Sequence, residues 1–165
     1  MRFRVGIGTD LHRLVTARRF VLGGVCIPAA FGPEGHSDGD ALIHAVIDAL
    51  LGAAALDDIG GLFPPEDAAY KDADSRLLAK EAVRRVRAAG WEIANIDAVV
   101  ECEAPKILPY REAIRASLAA ALGISAAQVF VKGKTGEGLG EIGRGKAVYA
   151  QAVCLLTGGA EAAVE

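Results

Sequence analysis

The sequence predicts an α+β fold in which a mixed or antiparallel sheet carries helices on one face, within a single domain spanning residues 1–165. A length of 165 residues suits one compact domain with its own core. Hydrophobic residues make up 52% of the chain but aromatic ones only 5%, which favours small aliphatic side chains packed closely between helices and sheet. Helices and strands also follow one another in runs, and a parallel barrel would require alternation.

The N-terminal part predicts three short strands. Residues 2–8 alternate charged and apolar side chains, a pattern typical of a strand, and residues 9–19 have the polar composition of a loop. Residues 20–28 predict two short strands around a Gly-Gly turn.

A long helix is predicted over residues 40–56, where apolar positions recur at helical spacing. Ser37 or Asp38 is expected to cap its start, and the turn residues 57–61 are expected to end it.

The second half predicts two further helices and three strands. The expected elements are a helix over 74–90 capped by Asp74, a strand over 91–102, a helix over 109–122, and strands over 128–132 and 145–156. The predicted order is therefore β, β, β, α, α, β, α, β, β, without an internal repeat or a linker.

Charge and cysteine content exclude several functions. A net charge of -3 without a long Lys/Arg run disfavours nucleic-acid binding, so any phosphate ligand needs local neutralisation, for example by metal ions or helix N-termini. Three widely spaced cysteines without a CxxC pair disfavour a disulfide framework and a thiolate zinc site, and indicate a reducing cytoplasm. The N-terminus lacks a secretion signal and no apolar stretch is long enough to span a bilayer, so a membrane partner is not expected.

The three histidines, His12, His36 and His44, each have acidic or hydroxyl neighbours. Asp10 and His12 alternate in extended chain and so point to one side, and His44 lies one helical turn after Asp40. Asp10, His12 and His44 together suit a catalytic zinc site with three protein ligands and an open fourth position. For an isolated histidine, capping a loop or a place in the core would be the commoner role.

The glycine-rich run at 133–140 resembles a phosphate-binding loop, but it does not end in GKS or GKT entering a helix. A different kind of loop is therefore expected.

Residues 37–53, SDGDALIHAVIDALLGA, closely resemble the signature of the cyclodiphosphate synthases. Further matches follow in order, at 58–60, 63–64, 70–71, 73–75, 104–106, Lys132, Thr135, Glu137, 139–140 and 143–145. The resemblance therefore covers nearly the whole chain.

This resemblance implies a reaction of the non-mevalonate isoprenoid pathway. The 2-phosphate of a cytidine diphosphate-activated methylerythritol 2-phosphate attacks the β-phosphorus, which yields a cyclic diphosphate and CMP. It implies that Asp10, His12 and His44 hold zinc on a β-phosphate oxygen, and that Glu137 holds magnesium or manganese between the α- and β-phosphates. His36 and Thr135 are then the catalytic residues that stabilise the transition state.

The resemblance also implies a set of substrate contacts. His36 and Ser37 would meet a phosphate, and the methylerythritol phosphate pocket would include Asp58, Ile59, Gly60, Phe63 and Asp67. Cytidine would be bound by Cys102, Lys106, Ile107 and Leu108, largely through main-chain groups, and the diphosphate by Lys134, Thr135 and Arg144. From the residues alone, Asp58 also suits a turn, and Lys106 and Lys134 also suit a solvated surface.

A ferredoxin-like or chorismate-mutase-like subunit and a homotrimer with active sites between subunits are further implications. The chain departs from many relatives at Lys134, Gly136, Pro65 and Glu141, and Glu141 adds negative charge where relatives have apolar surface facing the trimer channel. Two other functions are open to the same residues. One is a zinc phosphohydrolase and the other a non-catalytic nucleotide-binding module.

Overall fold

The computed structural model describes residues 2–64, 66–67, 70 and 72–158, and the remaining residues of the predicted domain lie outside this description. These residues form one α+β domain. Its seven strands are β1 (Phe3–Thr16), β2 (Phe20–Leu22), β3 (Val25–Ile27), β4 (Phe31–Pro33), β5 (Trp91–Glu101), β6 (Val129–Lys134) and β7 (Ala147–Gly158).

Five strands form the main sheet in the order β4-β1-β7-β5-β6, and β2 and β3 form a separate hairpin. The pair β5 and β6 is parallel, whereas the other pairs in the main sheet are antiparallel. The prediction of a mixed sheet is confirmed.

Helices α1 (Ala41–Ala54), α3 (Ser75–Ala88) and α4 (Arg111–Leu122) pack over the sheet, and α2 (Ile59–Leu62) and α5 (Gly140–Gly143) are single short turns. The predicted cap of α1 was wrong. Asp40 caps it, because its carboxylate accepts the backbone N–H of Ile43 at 3.0 Å. Ala55 adopts a left-handed conformation and ends the helix.

The first strand is twice as long as predicted. The sequence predicted a strand over 2–8 and a polar loop over 9–19, but β1 continues to Thr16 and pairs with β7 as far as Arg13 opposite Ala147. Polar residues can stand inside this strand because Asp10 and His12 contact each other on its helix-covered side. The sequence also did not indicate β4, α2 or α5.

Two glycines allow α1 to lie directly on β1. A Cβ atom at Gly6 would overlap the carbonyl oxygen of Ala49, and one at Gly8 would overlap that of Ala45. Both are therefore positions where two backbones approach too closely for any side chain. This approach brings His44 of α1 over the middle of β1.

The opposite face of the sheet carries an exposed apolar band along β1. Phe3, Val5, Ile7 and Leu11 alternate along β1 with side chains 58%, 69%, 61% and 61% exposed, and Phe130 and Val153 extend this outer face onto β6 and β7. Within the described ranges, no helix combines the length and apolar character needed to cross a membrane.

Candidate functional site

Asp10, His12 and His44 converge at the contact between β1 and α1. Oδ2 of Asp10 lies 2.7 Å from Nε2 of His12 and 2.8 Å from Nδ1 of His44, and these two nitrogens are 3.4 Å apart. Among the described residues, these are the three whose ligand atoms gather closely enough to hold a metal ion together. The predicted cluster is therefore present.

Each imidazole is held by its outer nitrogen. Nδ1 of His12 lies 2.6 Å from the carbonyl oxygen of Glu34, to which it can only donate. Nε2 of His44 lies 2.9 Å from Oγ of Ser75 and 3.1 Å from Oγ of Ser37. Such outer contacts orient histidines for metal binding. The Glu34 contact could not be predicted from the sequence, because the two residues lie 22 positions apart.

The cluster also shifts the protonation of its members. Burial alone would raise the pKa of Asp10, but hydrogen bonds from His12 and His44 outweigh burial and hold that pKa well below its usual value. Burial would lower the pKa of His12, but the Asp10 carboxylate outweighs burial and raises it. The metal-free cluster is thus an anionic carboxylate between two rings.

Ser37 and His36 lie just before α1, as predicted. Ser37 is 8% exposed and contacts His44, whereas the His36 side chain is exposed. Arg18 fixes the course of this loop, because its guanidinium donates to the carbonyl oxygens of Pro33, Gly35 and Ser37 at 3.2, 3.1 and 2.8 Å. Nothing in the sequence marked Arg18 for this contact.

Asp58 and Ile59 begin α2. The Asp58 carboxylate caps the helix by accepting the N–H of Gly61 at 2.8 Å, and the Ile59 N–H donates to Asp48 at 2.7 Å. The alternative that Asp58 belongs to a turn that ends α1 is therefore wrong, because α1 already ends at Ala55 and Asp58 begins a new helix. Its exposed side chain remains open to a ligand.

Other predicted members of this pocket lie close by in the chain. Gly60 is exposed, Phe63 is 8% exposed with its ring edge-on to Tyr70 at 5.3 Å, and Asp67 is exposed. Pro65 lies outside the described residues.

A cavity of about 170 Å³ opens where β5 and β6 end. Its lining includes six residues predicted to bind the nucleotide, namely Cys102, Lys106, Ile107, Leu108, Lys134 and Thr135, together with Gly133 and Arg111. The N–H of Cys102 donates to the carbonyl oxygen of Lys134 at 2.9 Å, which joins the two loops. Arg111 was not predicted, because an arginine at the start of an amphipathic helix is typical of a solvent-exposed surface position.

Cys102 does not have the character of a nucleophile. Burial raises the pKa of its thiol to about 11, and the thiol donates to the carbonyl oxygen of Ala104. A neutral thiol agrees with the prediction that this segment binds through its main chain.

Glu137 stands beside this cavity and is not a member of the histidine cluster. The Thr135 hydroxyl donates to its carboxylate at 2.7 Å, and Glu137 adopts a left-handed backbone with a φ of 51°. The guanidinium of Arg144 is exposed and pairs with Glu141 at 2.9 Å, and its contact with a phosphate stays a prediction.

The histidine cluster and the cavity lie at the same end of the sheet. The register places Asp10 opposite Ala150, Ala150 opposite Val100, and Val100 opposite Gly133. Three strand spacings of about 4.8 Å separate β1 from β6, so the strands that carry the two groups are about 14 Å apart.

Known proteins match nearly the whole chain. The model of the YgbB family matches residues 3–157. A curated relative from Laribacter hongkongensis, named 2-C-methyl-D-erythritol 2,4-cyclodiphosphate synthase, is 58% identical over 156 residues, which cover 94% of this chain and 96% of the relative.

Solved structures agree. The bifunctional IspDF of Campylobacter jejuni has a TM-score of 0.92 at 38% identity, and the match covers 95% of this chain and 42% of that longer one. A 2C-methyl-D-erythritol-2,4-cyclodiphosphate synthase in its CDP-bound form has a TM-score of 0.86 at 39% identity, and covers 93% of this chain and 100% of its own. Sequence and fold thus lead to one assignment: the chain belongs to the YgbB family.

Proposed function

We propose that this chain converts 4-diphosphocytidyl-2-C-methyl-D-erythritol 2-phosphate into 2-C-methyl-D-erythritol 2,4-cyclodiphosphate and CMP, as a phosphorus-oxygen lyase. The curated relative carries the name of this synthase. The observation that supports it most directly is the convergence of Asp10, His12 and His44 at the end of the sheet that also carries a cavity for a nucleotide.

The cluster fits zinc. Two imidazoles and a carboxylate are borderline ligands of the kind zinc prefers, and three protein ligands leave one position for a phosphate oxygen. Asp10 is kept ionised, and both outer ring nitrogens already have partners. Zinc held there supplies positive charge to a phosphate oxygen at the reacting phosphorus.

The chain's own residues position the substrate and stabilise developing charge. His36 has an exposed ring beside the cluster's loop, so it can donate a hydrogen bond to a phosphate during transfer. Thr135 lines the cavity, and its hydroxyl donates to the Glu137 carboxylate. These two residues are therefore suited to position the diphosphate. Glu137 would hold magnesium or manganese, since hard divalent cations prefer carboxylate oxygens. No protein nucleophile is needed, because phosphoryl transfer depends mainly on positioning and charge.

The cytidine is proposed to occupy the cavity between the 102–108 loop and the end of β6. Aliphatic side chains and Gly133 form part of its wall, and Lys106, Lys134 and Arg111 line it as well and can make polar contacts. A solved relative is titled as a CDP-bound form, which supports a cytidine nucleotide here. The three free cysteines support a reducing, cytoplasmic setting.

We further propose a ferredoxin-like subunit that assembles into a homotrimer with active sites shared between neighbours. Phe3, Val5, Ile7 and Leu11 form an exposed apolar band on the outer sheet face, which a neighbouring subunit would cover. Two cations on one diphosphate must lie close together, typically about 4 Å apart, whereas β1 and β6 are about 14 Å apart in one subunit. A site completed by a neighbour removes this conflict.

The decisive test is product analysis in water enriched in oxygen-18, with the cytidine-activated substrate, zinc and magnesium. We expect CMP and a cyclic diphosphate without label, because the attacking oxygen comes from the substrate itself. Label in a linear phosphate product would instead identify the zinc phosphohydrolase. Substrate binding without turnover would identify a nucleotide-binding module.

A further inference from the structure

Ser75 and Asp38 form a hydrogen-bonded chain behind His44. Ser75 is the first residue of α3 and is fully buried. Its hydroxyl lies 2.5 Å from Oδ1 of Asp38 and 2.9 Å from Nε2 of His44. The backbone N–H groups of Ser75 and Asp40 also donate to the Asp38 carboxylate, at 3.0 and 3.2 Å, so this carboxylate is held from three sides.

The direction of these hydrogen bonds follows from the groups themselves. An ionised carboxylate only accepts, and a serine hydroxyl has one proton to donate. Ser75 therefore donates to Asp38 and offers His44 only a lone pair. His44 must therefore carry a proton on Nε2. Its Nδ1 faces Asp10 and His12 and is the nitrogen left to bind zinc once the ion replaces its hydrogen bond to Asp10.

We propose that Ser75 and Asp38 are positioning residues for metal binding, which act by keeping the His44 proton on Nε2 and presenting Nδ1 to the ion. The inference rests on the proposed function only in taking His44 as a zinc ligand. A ring free to exchange tautomers would present the wrong nitrogen for part of the time. It would also be free to rotate away from the other two ligands.

His12 is held through its other ring nitrogen. The carbonyl oxygen of Glu34 accepts from Nδ1 of His12, so this ring presents Nε2 to the cluster. The two histidines thus use different nitrogens. The outer contact that decides this is the Glu34 carbonyl for His12 and mainly the Ser75 hydroxyl for His44. For His44 that acceptor is a side chain, so it can be removed without breaking the backbone.

Zinc affinity of the full-length protein tests this role, measured by competition with a chromophoric chelator. We expect Ser75→Ala to bind zinc about 10-fold more weakly. Loss of a residue that supports a metal ligand typically costs about 10- to 100-fold in affinity. The lower value is expected here because the Ser37 hydroxyl still offers His44 an acceptor at 3.1 Å. Asp38→Asn should weaken binding in the same direction, because its amide can turn the Ser75 hydroxyl towards His44. The Asp38→Asn variant also tests the proposal if Ser75→Ala fails to fold.

Asp74→Ala is the matched control. Asp74 caps the same helix through the N–H of Arg76 at 2.9 Å and takes no part in the chain to His44. Unchanged affinity in Ser75→Ala and Asp38→Asn, or an equal loss in Asp74→Ala, would show that these residues merely anchor α3.

A nitrogen-15 spectrum of histidine-labelled, zinc-loaded protein gives an independent readout. We expect zinc on Nδ1 of His44 and a slowly exchanging Nε2–H that exchanges faster in Ser75→Ala. Zinc bound through Nε2 of His44 would overturn the inference. Because these measurements concern the metal alone, their outcome is separate from whether the protein forms a cyclic diphosphate.

Discussion

The carboxylate of Asp40 accepts a 2.6 Å hydrogen bond from the backbone N–H of Gly24, which lies 16 residues earlier in the chain. The same carboxylate accepts from Gly23 at 2.9 Å and from Ile43 at 3.0 Å. Asp40 is fully buried, and burial raises its pKa even though the three N–H groups act to lower it. One acidic side chain thus joins the β2–β3 turn to the start of α1.

Replacing Asp40 by alanine should therefore destabilise the protein strongly. Two buried N–H groups and one partly buried N–H group would lose their acceptor. One buried group costs about 1–3 kcal/mol, so we expect a loss of about 3 kcal/mol or more. Denaturant unfolding measures it. Asp74→Ala removes a more exposed cap and should cost about 1 kcal/mol, and a loss as small as this for Asp40→Ala would contradict the structural role.

Zinc content should separate the three histidines. Wild-type protein should carry about one zinc per subunit, as expected for one three-ligand site. His12→Ala and His44→Ala should lose it, whereas His36→Ala should keep zinc and lose about 2–4 kcal/mol of transition-state stabilisation, the value of one good donor. Metal analysis with a rate assay decides the matter, and a zinc-free His36 variant would reverse the assignment.

Zinc affinity should rise with pH across the range in which His12 loses its proton. Asp10 raises the pKa of His12 above its ordinary value of about 6.5. Zinc must displace that proton, so the dissociation constant should fall by up to about tenfold per pH unit below the raised pKa and level off above it. A chelator competition series measures this profile, and His36→Ala should share it. A pH-independent affinity would exclude His12 as a ligand.

The stability of the metal-free protein should fall as pH rises through the raised pKa of His12, whereas zinc affinity rises over the same range. Stabilisation from protonated His12 is complete below about pH 6.5 and is lost as pH rises through the raised pKa. Stabilisation from ionised Asp10 is present above about pH 3.9 and is lost as pH falls through its lowered pKa. Zinc-free protein should therefore be stabilised most by this pair between these values, as thermal unfolding in a pH series can show.

Two glycine-to-alanine variants should have opposite effects. Gly8→Ala would force its Cβ against the backbone of Ala45, so we expect a loss of about 1–3 kcal/mol and weaker zinc binding as α1 shifts from β1. Gly52→Ala lies in the exposed part of α1 with open space around it, and should stabilise by up to about 1 kcal/mol. Thermal unfolding with a zinc titration compares them, and equal behaviour would contradict the close approach.

Subunit mixing should reveal shared active sites. His44→Ala trimers and Glu137→Ala trimers should each be nearly inactive. If zinc and Glu137 come from different subunits, random reassembly of equal amounts restores about one quarter of the sites. A site is intact only when its zinc half comes from a Glu137→Ala subunit and its Glu137 half from a His44→Ala subunit. If both come from one subunit, mixing restores nothing even when mixed trimers are demonstrated.

The identity of the cluster could be predicted from the sequence, whereas its support could not. Alternation places Asp10 and His12 on one side of an extended chain, and only the position of His44 on α1 had to be added. The acceptor Ser75 lies 31 residues from His44, and its role depends on how α3 packs against α1. Local patterns do not contain such distant contacts.

The extent of β1 shows the same limit in the fold. Polar residues after Gly8 have the composition of a loop, yet the chain continues as a strand because β7 pairs with it and Asp10 and His12 contact each other. A functional site inside a strand thus weakens the strand's own signature. The three long helices were predicted to within a few residues because their apolar spacing is local, although the cap predicted for α1 was wrong.

The use of different ring nitrogens suggests how the metal preference could be redesigned. Nδ1 of His44 is as far along its side chain as a carboxylate oxygen of aspartate, and Nε2 of His12 is as far as one of glutamate. His44→Asp with His12→Glu would thus give an all-oxygen site with each ligand atom near its original place. Oxygen ligands suit magnesium and manganese better than zinc. A carboxylate of matched length at each position would therefore shift the preference of the site from zinc towards magnesium or manganese.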